Sequence, residues 1–182
     1  MNVIQGDRPS SLTWTHRQAS ELAERIRQRE VTALEVIQAH LNHIKQHNPQ
    51  IKAVSVLAAD EALASARRAD QELSAGSSEV GPLHGVPITL KDHAIVKGVR
   101  TTVGMPHYWN YRPSKDCELV ARLRRAGVII LGRTNVPFGC YDWNCRNPIY
   151  PETVNPWNPA RTPGGSSGGA AAAIATGMTP LD

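Results

Sequence analysis

Residues 163–169 read Pro163-Gly164-Gly165-Ser166-Ser167-Gly168-Gly169, four glycines around two serines. Glycine reaches backbone conformations closed to residues with a Cβ, so main-chain NH groups in such a run can approach a ligand closely. Composition alone also fits a flexible linker. The next residues argue against a linker: Ala170 to Thr176 are mostly helix formers, and Gly177 stands where a C-cap belongs. The run therefore opens a helix, where unpaired NH groups and the dipole favour anions.

Three chemistries compete for it. A phosphate loop has the spacing of Gly164 and Gly169 but needs Lys followed by Ser or Thr, where this chain has Ala170-Ala171. A nucleophile elbow, G-x-S-x-G, is matched twice, from Gly164 to Gly168 and from Gly165 to Gly169. It needs a strand leading into the turn, and Pro156, Pro159 and Pro163 oppose one. It also needs a later histidine, and none follows Ser167. The third chemistry is a serine-lysine site, in which a lysine takes the hydroxyl proton when its surroundings favour the neutral amine. Lys91 ends an apolar run, Val86-Pro87-Ile88-Thr89-Leu90, that reads as a buried strand with proline near its start. If the strand persists, Asp92 points to the opposite face. Taken alone, Lys91 fits a solvated lysine at a strand end more readily, because lysines are mostly exposed.

Further segments accompany this pair: Gly81-Pro82-Leu83-His84-Gly85-Val86-Pro87, Leu90-Lys91-Asp92, Gly98 with Thr101-Thr102 and Gly104, and Arg122-Leu123 with Ala126-Gly127. Gly132-Arg133-Thr134-Asn135-Val136-Pro137, Asn155-Pro156-Trp157 and Arg161-Thr162-Pro163 complete the series. In order and number they make the chain resemble the N-terminal part of an amidase signature enzyme. That group includes bacterial amidases and the A subunit of the glutamyl-tRNA amidotransferase.

The resemblance implies the amidase signature fold, an α/β architecture with a mixed central sheet flanked by helices. It implies a Ser-Ser-Lys triad hydrolysing a small-molecule carboxylic amide through an acyl-enzyme, with no cofactor. Lys91 corresponds to the base and Ser166 to the bridging serine, preceded by a cis peptide bond. Gly164, Gly165 and Ser167 correspond to substrate-binding positions. The family's nucleophile lies in a second glycine-rich stretch shortly after the helix that the first one opens, and this sequence ends at Thr179-Pro180-Leu181-Asp182. Residues 1–182 accordingly read as the N-terminal portion of a single, truncated amidase signature domain, inactive by itself. Departures from the family pattern are His93, often asparagine there, and Ala170, often serine. A different reading is a non-catalytic remnant that binds an amide or a partner subunit through the surviving half-site.

Composition sets the outer bounds. With 182 residues, 41% hydrophobic and 20% charged, the chain can bury one sizeable core. No apolar run approaches membrane-spanning length, and Met1 to Trp14 contains Asp7, Arg8 and Pro9 in place of a signal-peptide core, which reads as cytoplasmic. The net charge of +4 raises nucleic acid as a partner. Arg67-Arg68 and Arg124-Arg125 instead fall within helical patterns and read as solvated faces. Cys117, Cys140 and Cys145 fit neither a disulfide framework nor a zinc motif and read as reduced structural thiols.

Along the chain, Thr15 with Gln18 and Thr32 with Glu35 match capping boxes. In the second helix Leu34, Ile37, Leu41 and Ile44 form an apolar stripe, and His40, His43 and His47 an adjoining polar face in preference to a metal site. Asn48-Pro49 should end that helix. Ala53 to Leu57 reads as a strand, Ala59 to Ser74 as a helix, and Gly76 to Gly81 as a loop. A helix from Ser114 to Ala126, stopped by Gly127, then leads to a strand at Val128 to Leu131, in a parallel crossover with the strand ending at Leu90. Gly132 to Pro163 shows little regular pattern. Tyr141, Trp143, Tyr150 and Trp157 there fit either an acyl pocket or packing beneath a loop.

Overall fold

The computed structural model describes residues 14–77 and 80–182. Its helices are α1 (Ala19–Arg27), α2 (Ala33–Ile51), α3 (Ala59–Ser74), α4 (Glu118–Arg125) and α5 (Gly168–Ala175). Its strands are β1 (Val54–Leu57), β2 (Pro87–Lys91) and β3 (Ile129–Thr134). The strands form one mixed sheet in the order β1-β3-β2, with β3 antiparallel to β1 and parallel to β2. The α/β expectation, with a mixed central sheet flanked by helices, therefore holds.

The second helix starts where its capping box places it. Thr32 Oγ1 accepts from the Glu35 amide at 3.1 Å, and the Glu35 carboxylate accepts from the Thr32 amide at 2.9 Å. Asp70 of α3 adds its carboxylate to the Ala33 and Leu34 amides at 2.7 and 3.0 Å, an anion at a helix N-terminus. The first box does not open α1, which begins at Ala19 with Gln18 as its N-cap, and Thr15 lies in the preceding turn. Pro49 does not end α2 either. It lies exposed in the last turn, where one lost hydrogen bond is cheap, and the helix closes at Lys52 in the left-handed conformation. Continuing to Ile51 lets Asn48 grip β1, donating to the Val54 carbonyl and accepting from its amide. The fourth helix starts later than Ser114, because Asp116 is used to accept from the Lys97 amide.

Period-two alternation along the strands divides the core. Ile129 and Leu131 face a cluster built by α1, α2, α3 and α5, while Val128 and Ile130 join Ile88, Leu90 and Val120 of α4 on the other side. A bulge interrupts this pattern. Ile88 pairs with Ile130, but Thr89 pairs with Gly132, so Leu131 is the extra residue. Beyond it Arg133 lies beside Leu90 and Thr134 beside Lys91, the reverse of what unbroken alternation gives. Gly132 sits where the Val56 carbonyl crosses, 2.2 Å from the position a Cβ would take, which makes glycine obligatory there.

The histidines of α2 depart from the expected polar face. His40 is fully buried and His43 nearly so. Among the described residues no three His, Cys, Asp or Glu side chains are arranged to hold a metal. The Nδ1–H of His40 donates to the Val36 carbonyl at 2.9 Å, leaving Nε2 buried with no partner among the described residues. A proton on that nitrogen would be an unpaired buried charge, and burial lowers the His40 pKa from 6.5 to about 4. Burial lowers His43 as well, against the bond from its Nε2–H to the Thr176 carbonyl at 2.7 Å.

Two outcomes are expected. A pKa depressed in the fold means stability is fully present above the unfolded value near 6.5 and is lost as pH falls towards 4. His40 alone accounts for roughly 3 kcal/mol of that loss, and His40→Leu flattens the pH dependence of chemical denaturation in this window. Thr32→Ala removes one half of the capping box and costs about 1 kcal/mol, read as a lower midpoint of thermal unfolding.

Candidate active site

Lys91 closes β2 and stands beside Thr134 of β3. It shares the α5 side of the sheet with Thr89, whose amide bonds Thr179 Oγ1 at 3.1 Å beyond the end of α5. Ser166 lies just ahead of α5, and Lys91 Nζ donates to Ser166 Oγ at 2.6 Å. Both residues are half-buried, and the Gly165-Ser166 peptide bond is cis.

The other glycine-serine positions play separate parts. Gly164 adopts φ +89°, a left-handed conformation that favours glycine, and its amide donates to Thr162 Oγ1 at 3.1 Å. A Cβ on Gly165 would stand 2.4 Å from the Asp142 carbonyl oxygen, so Asp142 and Trp143 press directly on the turn. Ser167 is exposed and serves as the N-cap of α5 without a side-chain hydrogen bond. The NH groups here are less free than a helix start suggests, since Gly169 donates to the Asn135 carbonyl at 3.3 Å.

Asp92 turns away from the pair. It is fully buried, accepting from the Thr102 hydroxyl at 2.6 Å, from the Thr102 amide, and from Arg133 Nη2 at 3.5 Å. Arg133 is also fully buried, its Nη2 donating to the carbonyls of Lys91 and Ala94. Burial pushes the Asp92 carboxyl up, opposed by the Thr102 hydrogen bonds and the guanidinium, and pushes the Arg133 guanidinium down, opposed by the carboxylate. The two compensate each other on the face opposite Lys91, while Arg133 fixes the main chain at Lys91 through its carbonyl.

The cysteines are free thiols. Burial raises the Cys140 thiol, and the positive charge of Lys91 works against that rise. Cys145 is fully buried under the turn, its Sγ donating to the Asn135 carbonyl at 3.2 Å. Of the four aromatics, Tyr150 is buried, whereas Tyr141, Trp143 and Trp157 are 87%, 81% and 84% exposed, so packing beneath the loop holds for Tyr150 alone. A cleft of about 620 Å³ lined by Leu57, Lys97, Arg112 and Arg124 contains neither Lys91 nor Ser166. Three of the four basic residues expected on solvated faces form ion pairs, Arg68 with Glu61, Arg124 with Asp116 and Arg125 with Glu118. Among the described residues no helix is long and apolar enough to cross a membrane.

Arg133, Thr102 and Asn135 are visible in the sequence only as members of the segments that carry the resemblance. Nothing in their spacing tells that they are buried around the lysine and the turn.

The family model described as Amidase matches residues 35–182. The A subunit of the glutamyl-tRNA(Gln) amidotransferase of Corynebacterium jeikeium is 42% identical over 180 residues, covering 98% of this chain and 35% of the relative. The chain thus spans about a third of the length of that curated relative. Among solved structures, fatty acid amide hydrolase superposes with a TM-score of 0.90 at 28% identity, covering 95% of this chain and 30% of that one. The native peptide amidase from Stenotrophomonas maltophilia superposes with a TM-score of 0.84 at 31% identity, covering 91% and 35%. The segments that carry the resemblance, the mixed sheet and these likenesses agree, and the chain belongs to the amidase family, with the fold of the amidase signature enzymes.

Proposed function

We propose that this chain carries the base and the bridging serine of a Ser-Ser-Lys hydrolase that cleaves small carboxylic amides through an acyl-enzyme. The observation that supports it is the 2.6 Å contact between Lys91 Nζ and Ser166 Oγ, two side chains 75 residues apart. In its neutral form Lys91 accepts the Ser166 hydroxyl proton while Ser166 Oγ accepts the proton of an attacking serine. That serine adds to the amide carbonyl. Collapse of the tetrahedral intermediate expels the amine, which takes the proton back along the same path. Water then repeats the sequence on the acyl-enzyme and releases the acid. Every transfer is a proton or acyl transfer between these groups, so the chemistry calls for no cofactor.

In this reading residues 1–182 form the N-terminal portion of one amidase signature domain, and the attacking serine and oxyanion donors follow Asp182. The path of the chain is consistent with that. The Thr89 amide bonds the Leu181 carbonyl at 3.2 Å, and Thr134 Oγ1 donates to the Asp182 carboxylate at 2.9 Å. The segment therefore runs along β2 and arrives beside Thr134, the strand partner of Lys91.

The test compares the 182-residue chain with one extended past Asp182 through the second glycine-rich stretch. A fluorophosphonate is expected to label the longer chain alone, on a serine beyond 182. Lys91→Ala in the longer chain is expected to lower kcat by roughly 10³-fold or more with KM little changed. Retained turnover in Lys91→Ala, or labelling at Ser166, overturns the assignment. Thermal stabilisation by an amide with no turnover in either chain selects a non-catalytic half-site that binds an amide or a partner subunit.

A further inference from the structure

Asn135 joins the two halves of the pair, and no polar atom it carries is idle. It is 1% exposed and directly follows Thr134, the strand partner of Lys91. Its amide donates to the Ala53 carbonyl at 2.8 Å, and its carbonyl accepts from the Gly169 amide at 3.3 Å and the Cys145 thiol at 3.2 Å. Side-chain Nδ2 donates to the Pro151 carbonyl at 2.9 Å and to Thr153 Oγ1 at 3.0 Å. Oδ1 accepts from the Val136 amide at 3.0 Å and from Asn147 Nδ2 at 2.8 Å. The chemistry selects the residue: a carbonyl partner demands a donor and an amide partner an acceptor, and only a side-chain carboxamide meets both with this reach.

The first turn of α5 rests on this residue. A Cβ on Gly169 would stand 2.4 Å from both the N and the O of Asn135, and one on Gly168 would stand 2.7 Å from Cβ of Cys145. The helix that follows Ser166 is therefore seated on the Asn135 main chain, which the side-chain carboxamide locks in place. Accepting Lys91 and Ser166 as the functional pair, we infer that Asn135 is the positioning residue that sets the distance between them. It acts through Thr134 on one side and Gly169 on the other, without touching either member.

Acetylation with an N-hydroxysuccinimide ester tests this on the 182-residue chain, reading the labelling rate of Lys91 against exposed Lys97 by peptide mass mapping. In the wild type Lys91 is expected to lag Lys97, since its amine is half-buried and held by Ser166. Asn135→Ala is expected to raise the Lys91-to-Lys97 ratio several-fold by releasing the helix, and Gly169→Ala to do so by pushing it from above. Ile26→Ala, in α1, is the control that lowers stability without touching the seat. If the two variants lose thermal stability as Ile26→Ala does and keep the wild-type ratio, Asn135 is merely structural and the inference fails. Equal labelling of Lys91 and Lys97 in the wild type also defeats it. Should Asn135→Ala fail to fold, Gly169→Ala decides. The readout needs no turnover, so an inactive extended chain would sink the proposed reaction and leave this inference standing.

Discussion

Gly169 touching the main chain of Asn135 sets the height of α5 over the sheet, and the geometry of the Lys91 and Ser166 pair follows from that height. Helices usually pack on sheets through side chains, which adds several ångströms of adaptable material. Here two successive glycines bring backbone against backbone and against Cys145, so the approach has little freedom to vary. Hydrogen bonds from the 144–153 loop then hold the seat: Asn147 donates to Asn135 and to the Val136 carbonyl, and its own Oδ1 accepts from the Ile149 and Tyr150 amides. A long connection with no regular structure is thereby made rigid where the turn needs support.

The bulge in β3 organises the charges. An unbroken strand would place Arg133 on the side of Ile129 and Leu131, among apolar groups and next to the lysine. With Leu131 as the extra residue, Arg133 moves to the face of Leu90 and meets Asp92, while Thr134 comes level with Lys91. A carboxyl and a guanidinium can then lie buried a residue away from Lys91, since each offsets the desolvation of the other and both lie across the sheet from its amine. Gly132, forced by the crossing Val56 carbonyl, is the local reason the bulge sits there.

What could be read from the chain was what local chemistry decides. The Thr32 and Glu35 box, the helix from Ala59 to Ser74 and the helix after the glycine run all follow from residues within a turn or two of one another. Structure and sequence expectation part where a distant partner overrides the local preference. Asp116 is drawn to the Lys97 amide and delays α4, the grip of Asn48 on β1 carries α2 past Pro49, and the core takes in His40 because Val36 satisfies one nitrogen and neutrality spares the other. Lys91 and Ser166 lie 75 residues apart, and only the resemblance paired them before the fold did. Arg133 and Asn135 belong to a segment that carries the resemblance, yet their burial depends on the bulge and the loop, and neither leaves a periodic trace.

The glycines in residues 164–169 do not share one purpose. Two of them serve the turn: Gly164 for a left-handed backbone and Gly165 because the Asp142 carbonyl leaves no room for a side chain. The later pair serve packing, and at Gly169 the amide is already spent on Asn135. A glycine-rich helix start is easily taken as a general anion site, because its amides are free and its dipole points outward. In this chain at least one of those amides is committed to the scaffold, and the helix carries eight residues. The turn holds the Ser166 hydroxyl 2.6 Å from the Lys91 amine, and the Gly169 amide is not free for an anion.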